Sequence, residues 1–140
     1  MVRAVLDANV YVSALIQPGG TPGRIIERFL RDEAFEVVVS PAIVNEVLRV
    51  LTYPKVGKLI RASAAPELWF EDIVVLADMI VGELHVSGVC DDPDDDKYIA
   101  AAIEGRATYV VTGDQRFLEL REHEGVQIVK PRAFLDLLGP

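Results

Sequence analysis

The sequence predicts an α/β domain with a central parallel sheet of four to five strands, helices on both faces, and a helical arm between the second and third strands. Three observations predict it. Short apolar, β-branched runs recur along the chain with stretches of helical periodicity between them, the alternation that builds a parallel sheet. Ser, Thr or Pro stands at the head of the helical stretches. The segment from Ser40 to Glu83 is too long for a single crossover helix and is interrupted at Tyr53-Pro54 and again over 63–66.

Val2 to Leu6 is apolar apart from Arg3, which suits a strand buried on both faces, and it ends at Asp7. Comparable runs follow at Glu36 to Val39, Leu84 to Val86, Tyr109 to Val111 and Val126 to Val129. Helices are expected at Arg24 to Arg31 after Thr21-Pro22, at Ile43 to Leu51 after Ser40-Pro41, and at Leu68 to Ile80 after Pro66. A last helix follows Pro131. In an open parallel sheet, sites form beyond the carboxyl ends of the strands. There the residues are acidic or hydroxylic: Asp7, Ser40, the loop Asp91 to Asp96, and Thr112-Gly113-Asp114.

A chain of 140 residues reads as one domain over 1–140, able to bury roughly two thirds of its unfolded surface. Its single cysteine, Cys90, forms no intrachain disulfide, and its only histidines, His85 and His123, make no zinc pattern. A reducing, cytoplasmic setting is expected. Arg3, Asp7 and Asn9 come too early for a signal peptide, and Asp78 breaks the apolar run from Val74 to Val81, so no membrane association is expected. The formal net charge of −8 has the wrong sign for binding nucleic acid through a basic surface alone. Such binding requires converging carboxylates that hold cations.

Each acidic position has an ordinary explanation. Asp7 serves equally well as a cap on the following helix or as a ligand, with Asn9 as a turn former. Glu46, among Ile43, Val44, Val47, Leu48 and Leu51, reads singly as a solvated residue near Arg49. Asp114 reads singly as a helix cap. Asp91 to Asp96 holds five carboxylates in six residues before a helical pattern. Capping needs one or two of them, and the excess repulsion calls for a cation. Lys97 and Ile103 stand where a calcium loop needs Gly and Glu, so that motif is excluded. Taken together, the acids would meet at one sheet edge, which capping does not require. Hard Mg²⁺ or Mn²⁺ ions prefer such oxygens, and two of them roughly 4 Å apart support phosphodiester hydrolysis. Cys90 has no basic or His partner in sequence reach, which favours a buried structural thiol.

The ordered set Val5-Leu6-Asp7-Ala8-Asn9-Val10 with Ser13, Ser40-Pro41 leading to Asn45-Glu46-Val47, Asp92-Pro93-Asp94-Asp95-Asp96-Lys97-Tyr98, and Val111-Thr112-Gly113-Asp114 with Phe117-Leu118 resembles the PIN-domain family. It is most similar to the short VapC-like branch of bacterial and archaeal toxins. The resemblance implies a PIN-like three-layer α/β/α fold and a metal-dependent endoribonuclease that hydrolyses RNA phosphodiester bonds. It implies Asp7, Glu46, Asp96 and Asp114 as the acidic set. It further implies Asp7, Asp96 and Asp114 as the ligands of Mg²⁺ or Mn²⁺, with Asn9, Thr112 and Asp95 in support. Within the loop, alignment on Ile99-Ala100-Ala101 selects Asp96 first, and relatives with Asn there select Asp95. A toxin would also bring a homodimer and a small antitoxin partner.

Two basic sets, Arg24/Arg28/Arg31 and Lys55/Lys58/Arg61, read as solvated faces near Glu27, Asp32 and Glu33, with RNA guidance as the alternative. A receiver-like phosphoacceptor would use the aspartates, Thr112 and Lys130-Pro131 but leaves Glu46 without a role and expects single-helix crossovers. A phosphatase with Asp7 as nucleophile wants an acid where Asn9 stands. A catalytically silent PIN-like interaction module is the remaining alternative.

Overall fold

The apolar run that opens the sequence becomes the middle of the sheet. In the computed structural model, which describes residues 1–60 and 65–140, β1 (Arg3–Leu6) pairs in parallel with β2 (Glu36–Val39) and, on its other side, with β4 (Tyr109–Val111). Ala4, Val5, Leu6, Val37, Val38, Val39, Val110 and Val111 are all wholly buried. Burial on both faces explains why these strands are continuous apolar runs instead of alternating ones.

Outward from this centre, β3 (Asp78–Met79) pairs in parallel with β2, and β6 (Val126–Val129) in parallel with β4. The two-residue strand β5 (Glu122–His123) runs antiparallel to β6 and closes that edge. The order is β3-β2-β1-β4-β6-β5. Helices α1 (Ala8–Ile16), α2 (Thr21–Asp32) and α3 (Pro41–Leu51) pack against one another through α1. Next come the short α4 (Pro54–Gly57) and α5 (Pro66–Leu76), the latter packed on α3. A single 3-10 turn over Pro93–Asp95 enters α6 (Asp96–Glu104), which lies against β1, β2, β4 and β6. The short α7 (Gln115–Leu118) and α8 (Pro131–Leu138) complete the chain, and α8 packs on α2. This is the expected α/β architecture with helices flanking a mostly parallel sheet.

The helix starts fall where the sequence marks them. Ser40 caps α3 by accepting the Ile43 N–H at 3.3 Å, and Pro22, Pro41, Pro66 and Pro131 each occupy a first helical turn. Three expectations are corrected. The sheet has six strands, because Glu124 and Gly125 take left-handed φ values of 47° and 83° and so form a tight hairpin that the sequence pattern does not announce. The helix expected to reach Ile80 stops at Leu76: Ala77 is extended, and β3 follows at once. Leu84 to Val86 is not a strand. The Glu104 carboxylate accepts the Gly82 N–H at 2.9 Å and the Leu84 N–H at 2.8 Å, taking donors that a ladder would need.

Arg3 explains the one break in the first apolar run. Its guanidinium donates to Glu36 on β2 and to Asp78 on β3, each at 2.7 Å, and to the carbonyl of Gly105 just beyond α6 at 2.6 and 2.9 Å. One side chain therefore ties three strands to a helix end. Arg3→Met, which keeps the apolar stem, should lower the unfolding free energy by about 1–2 kcal/mol. Urea titration measures this, and an unchanged midpoint would show that the clasp carries no stability.

Candidate active site

The strand order sets where a site forms. The chain steps from β1 to β2 to β3 in one direction, then returns through α6 to β4 on the opposite side of β1. The carboxyl ends of β1 and β4 thus flank a topological switch point, the crevice where open α/β sheets bind ligands. Asp7 leaves β1 at this crevice, with its N–H bonded to the Val111 carbonyl at 2.9 Å. Thr112, wholly buried, leaves β4 beside it. The Thr112 hydroxyl donates to Asp7 Oδ2 at 2.6 Å and accepts the Asp114 N–H at 3.0 Å.

Asp7 occupies the cap position of α1, yet its side chain makes no cap hydrogen bond. Only 7% of the residue is exposed. Burial raises its proton affinity above the usual carboxylate range, against the Thr112 hydroxyl, the Tyr98 hydroxyl and the Asn9 N–H, which favour the ionised form; the Glu46 charge raises it further. Asp114 does act as a cap, accepting the Arg116 N–H at 3.0 Å, and remains half-buried. Asn9 is exposed, and its Oδ1 accepts the Gly113 N–H at 3.4 Å, joining the turns after β1 and β4.

Glu46 projects from α3 into the same neighbourhood, but it is engaged. Lys97 Nζ lies 2.7 Å from Glu46 Oε2, and the Tyr98 hydroxyl donates to that oxygen at 2.6 Å. Arg49, its neighbour in sequence, is a distant second at 4.0 Å. Lys97 and Tyr98 fall within the motif that carries the resemblance, but the sequence gives neither a role in the site. The helical pattern after the acidic loop makes them look like ordinary residues of α6, and no local signal points to partners so far along the chain.

The acidic loop separates into distinct roles. Asp92 accepts the Asp94 N–H at 3.0 Å and starts the 3-10 turn. Asp96, 4% exposed, accepts the Cys90 N–H at 2.7 Å and lines a cavity of about 500 Å³ with Asn45, His85 and Lys97. Asp95 is the loop acid that feels the rest of the cluster. Its carboxyl is pushed up to about 7, first by burial and then by the charges of Asp7, Asp92, Asp114 and Glu46. The Cys90 thiol is pushed up to about 12 by burial and the neighbouring acids, which keeps it protonated and fits a structural thiol.

Among the described residues, Asp7, Asp95, Asp96 and Asp114 form no ion pair with Lys or Arg. Nor do any three potential ligands there stand close enough to hold a metal as they are. The donor chemistry is nevertheless that of a hard divalent cation: carboxylates whose charges raise one another's proton affinity. In the basic stripe of α2, Arg28 pairs with Asp32 at 2.8 Å and donates to the Gly139 carbonyl at 2.6 Å, and Arg31 pairs with Glu27 at 2.9 Å. In the second basic set, Arg61 lies outside the described residues.

The chain belongs to the PIN-domain family, whose sequence profile matches residues 3–116. An uncharacterized protein of Methanocaldococcus jannaschii is 31% identical over 121 residues, covering 86% of this chain and 76% of that protein. The PIN domain is a nuclease fold. No helix among the described residues is long and apolar enough to cross a membrane.

The displaced Asp95 carboxyl carries a pH signature. Its proton affinity rises from the ordinary 3.8 to about 7 on folding, so its contribution to stability is complete below the unfolded value and is lost as pH climbs through the folded one. In excess chelator, the native chain should lose stability between about pH 5 and about pH 7.5 more steeply than Asp95→Asn. Urea unfolding at both pH values measures the difference, and parallel slopes would contradict the assignment.

Proposed function

We propose that this PIN-domain chain is a divalent-cation-dependent endoribonuclease that hydrolyses RNA phosphodiester bonds at the crevice between β1 and β4. The observation that carries the reading is Asp7, a buried carboxylate at the switch point with a Thr hydroxyl on one oxygen and, among the described residues, no cationic side chain paired with it. An uncompensated acid there costs stability, and a bound cation supplies the reason to keep it. When Mg²⁺ or Mn²⁺ is bound, it lowers the pKa of coordinated water and stabilises the leaving oxygen.

Asp7, Asp114 and a loop aspartate are the proposed ligands. What supports Asp95 ahead of Asp96 as the loop ligand is that the charges of Asp7, Asp114 and Glu46 act on Asp95, whereas one Asp96 oxygen is taken by the Cys90 N–H. Asp96 then shapes the loop and the adjoining cavity. Thr112 fixes the orientation of Asp7 through its 2.6 Å hydrogen bond. Asn9 holds the β4 turn by accepting from Gly113. Glu46, tied to Lys97, contributes to the acidic set without being free to move inward unless Lys97 releases it.

The reading extends to a toxin of a toxin–antitoxin pair, acting in the cytoplasm as a homodimer and restrained by a small antitoxin. That extension rests on the motif resemblance to the toxin branch, and growth arrest on expression, relieved by Asp7→Asn, is its test.

Single-stranded RNA incubated with Mn²⁺ or Mg²⁺ should be cut by the native chain and left intact in excess chelator. Asp7→Asn and Asp95→Asn should each lower the rate by about 100-fold, with Asp96→Asn less damaging. Cleavage that survives Asp7→Asn or the chelator would refute the mechanism. RNA binding without cleavage by the native chain would identify a silent interaction module.

A further inference from the structure

One side chain touches every element that carries an acid of the site. Tyr98 is wholly buried on α6, directly after the acidic loop and the ion-paired Lys97. Its hydroxyl accepts the N–H of Ala8, the first residue of α1, at 3.2 Å, and donates to Glu46 Oε2 on α3 at 2.6 Å. Its ring packs at 6.1 Å, tilted by 44°, on Phe117 of α7, the helix capped by Asp114. Lys97 Nζ lies 5.7 Å from the ring centroid while it binds Glu46.

We infer that Tyr98 is a positioning residue that sets the spacing between Asp7 and Glu46 and thereby the geometry in which the acidic set meets its cation. This rests on the nuclease reading above. The phenol has one proton and two acceptor lone pairs. The proton goes to Glu46, and a lone pair takes the Ala8 N–H, which anchors the hydroxyl to the backbone immediately after Asp7. Glu46 is therefore held at a fixed offset from the end of β1 by the phenol hydroxyl. Lys97 neutralises the Glu46 charge from the other side. The arrangement orients an acid through a hydrogen bond from a neighbour that itself binds no cation, a role whose loss characteristically weakens metal binding without altering substrate contacts.

Tyr98→Phe keeps the ring in its packing and removes only the junction. Mn²⁺ affinity, read by electron paramagnetic resonance on the folded chain, should fall about 10- to 100-fold. The kcat for single-stranded RNA should fall with it while KM stays within about twofold. Tyr98→Leu, which removes ring and hydroxyl together, should show the same Mn²⁺ defect with a larger loss of thermal midpoint. If Tyr98→Phe binds Mn²⁺ and turns over like the native chain, while Tyr98→Leu is merely less stable, Tyr98 is a packing residue and the inference is overturned. A native chain that neither binds Mn²⁺ nor cleaves RNA would overturn the nuclease reading itself and this one with it, a result distinguishable from the first because it needs no variant.

Discussion

The constraint on which the rest of the structure depends is the burial of the Asp7 carboxylate at the end of the central strand. An ionised acid in that position requires donors, and the fold supplies the Thr112 hydroxyl, while the Tyr98 hydroxyl and the Asn9 N–H nearby favour the charged form. Each of these neighbours commits an element. Thr112 pins the end of β4 to the end of β1 at 2.6 Å, and Tyr98 ties α6 to the Ala8 N–H next to Asp7. Because the β4 turn continues into Asp114, whose N–H binds Thr112 Oγ1, the second acid is placed by the donor that serves the first. The acidic cluster follows from satisfying one buried group.

What the sequence reveals depends on how local the determining forces are. β1, β2, β4 and β6 are legible because burial demands runs of Val, Ile and Leu, and α3 is legible because Ser40 and Pro41 state its start. β3 is not, since two exposed residues carry no pattern; its place is set by pairing with β2 and by the charge of Arg3 on Asp78. Leu84 to Val86 looks like a strand on apolarity alone, and only the Glu104 carboxylate, acting from a distant helix, shows why it is not. β5 depends on two left-handed residues, Glu124 and Gly125, of which only the glycine hints at a turn.

The same distinction divides the site. Asp7, Thr112 and Asp114 are readable because each directly follows a recognisable strand. The loop from Asp91 to Asp96 advertises charge but not role: the charges of the other acids act on Asp95, while Asp96 accepts the Cys90 N–H. Tyr98 is the least legible. In the run Tyr98-Ile99-Ala100-Ala101-Ala102 it reads as core, which its ring is, while its hydroxyl acts on partners 52 and 90 residues away. Sequence periodicity reports which face a residue takes but not what its polar end meets there.

The net charge of −8 is less of an obstacle to an RNA substrate than its size suggests. At physiological ionic strength exposed charges are screened over about 8 Å, so an approaching phosphate responds mainly to the groups lining the crevice. There the protein divides its acids in two. Glu46 receives the chain's own cation, Lys97, at 2.7 Å; Asp7 and Asp95 receive none among the described residues and are driven toward their protonated forms. Had Lys97 paired with Asp7 instead, that buried carboxylate would already hold a cation and would place less electrostatic demand on an external one. Leaving Asp7 and Asp95 uncompensated while neutralising the acid farther from the strand ends concentrates that demand at the switch point, where a phosphodiester entering the crevice would meet it.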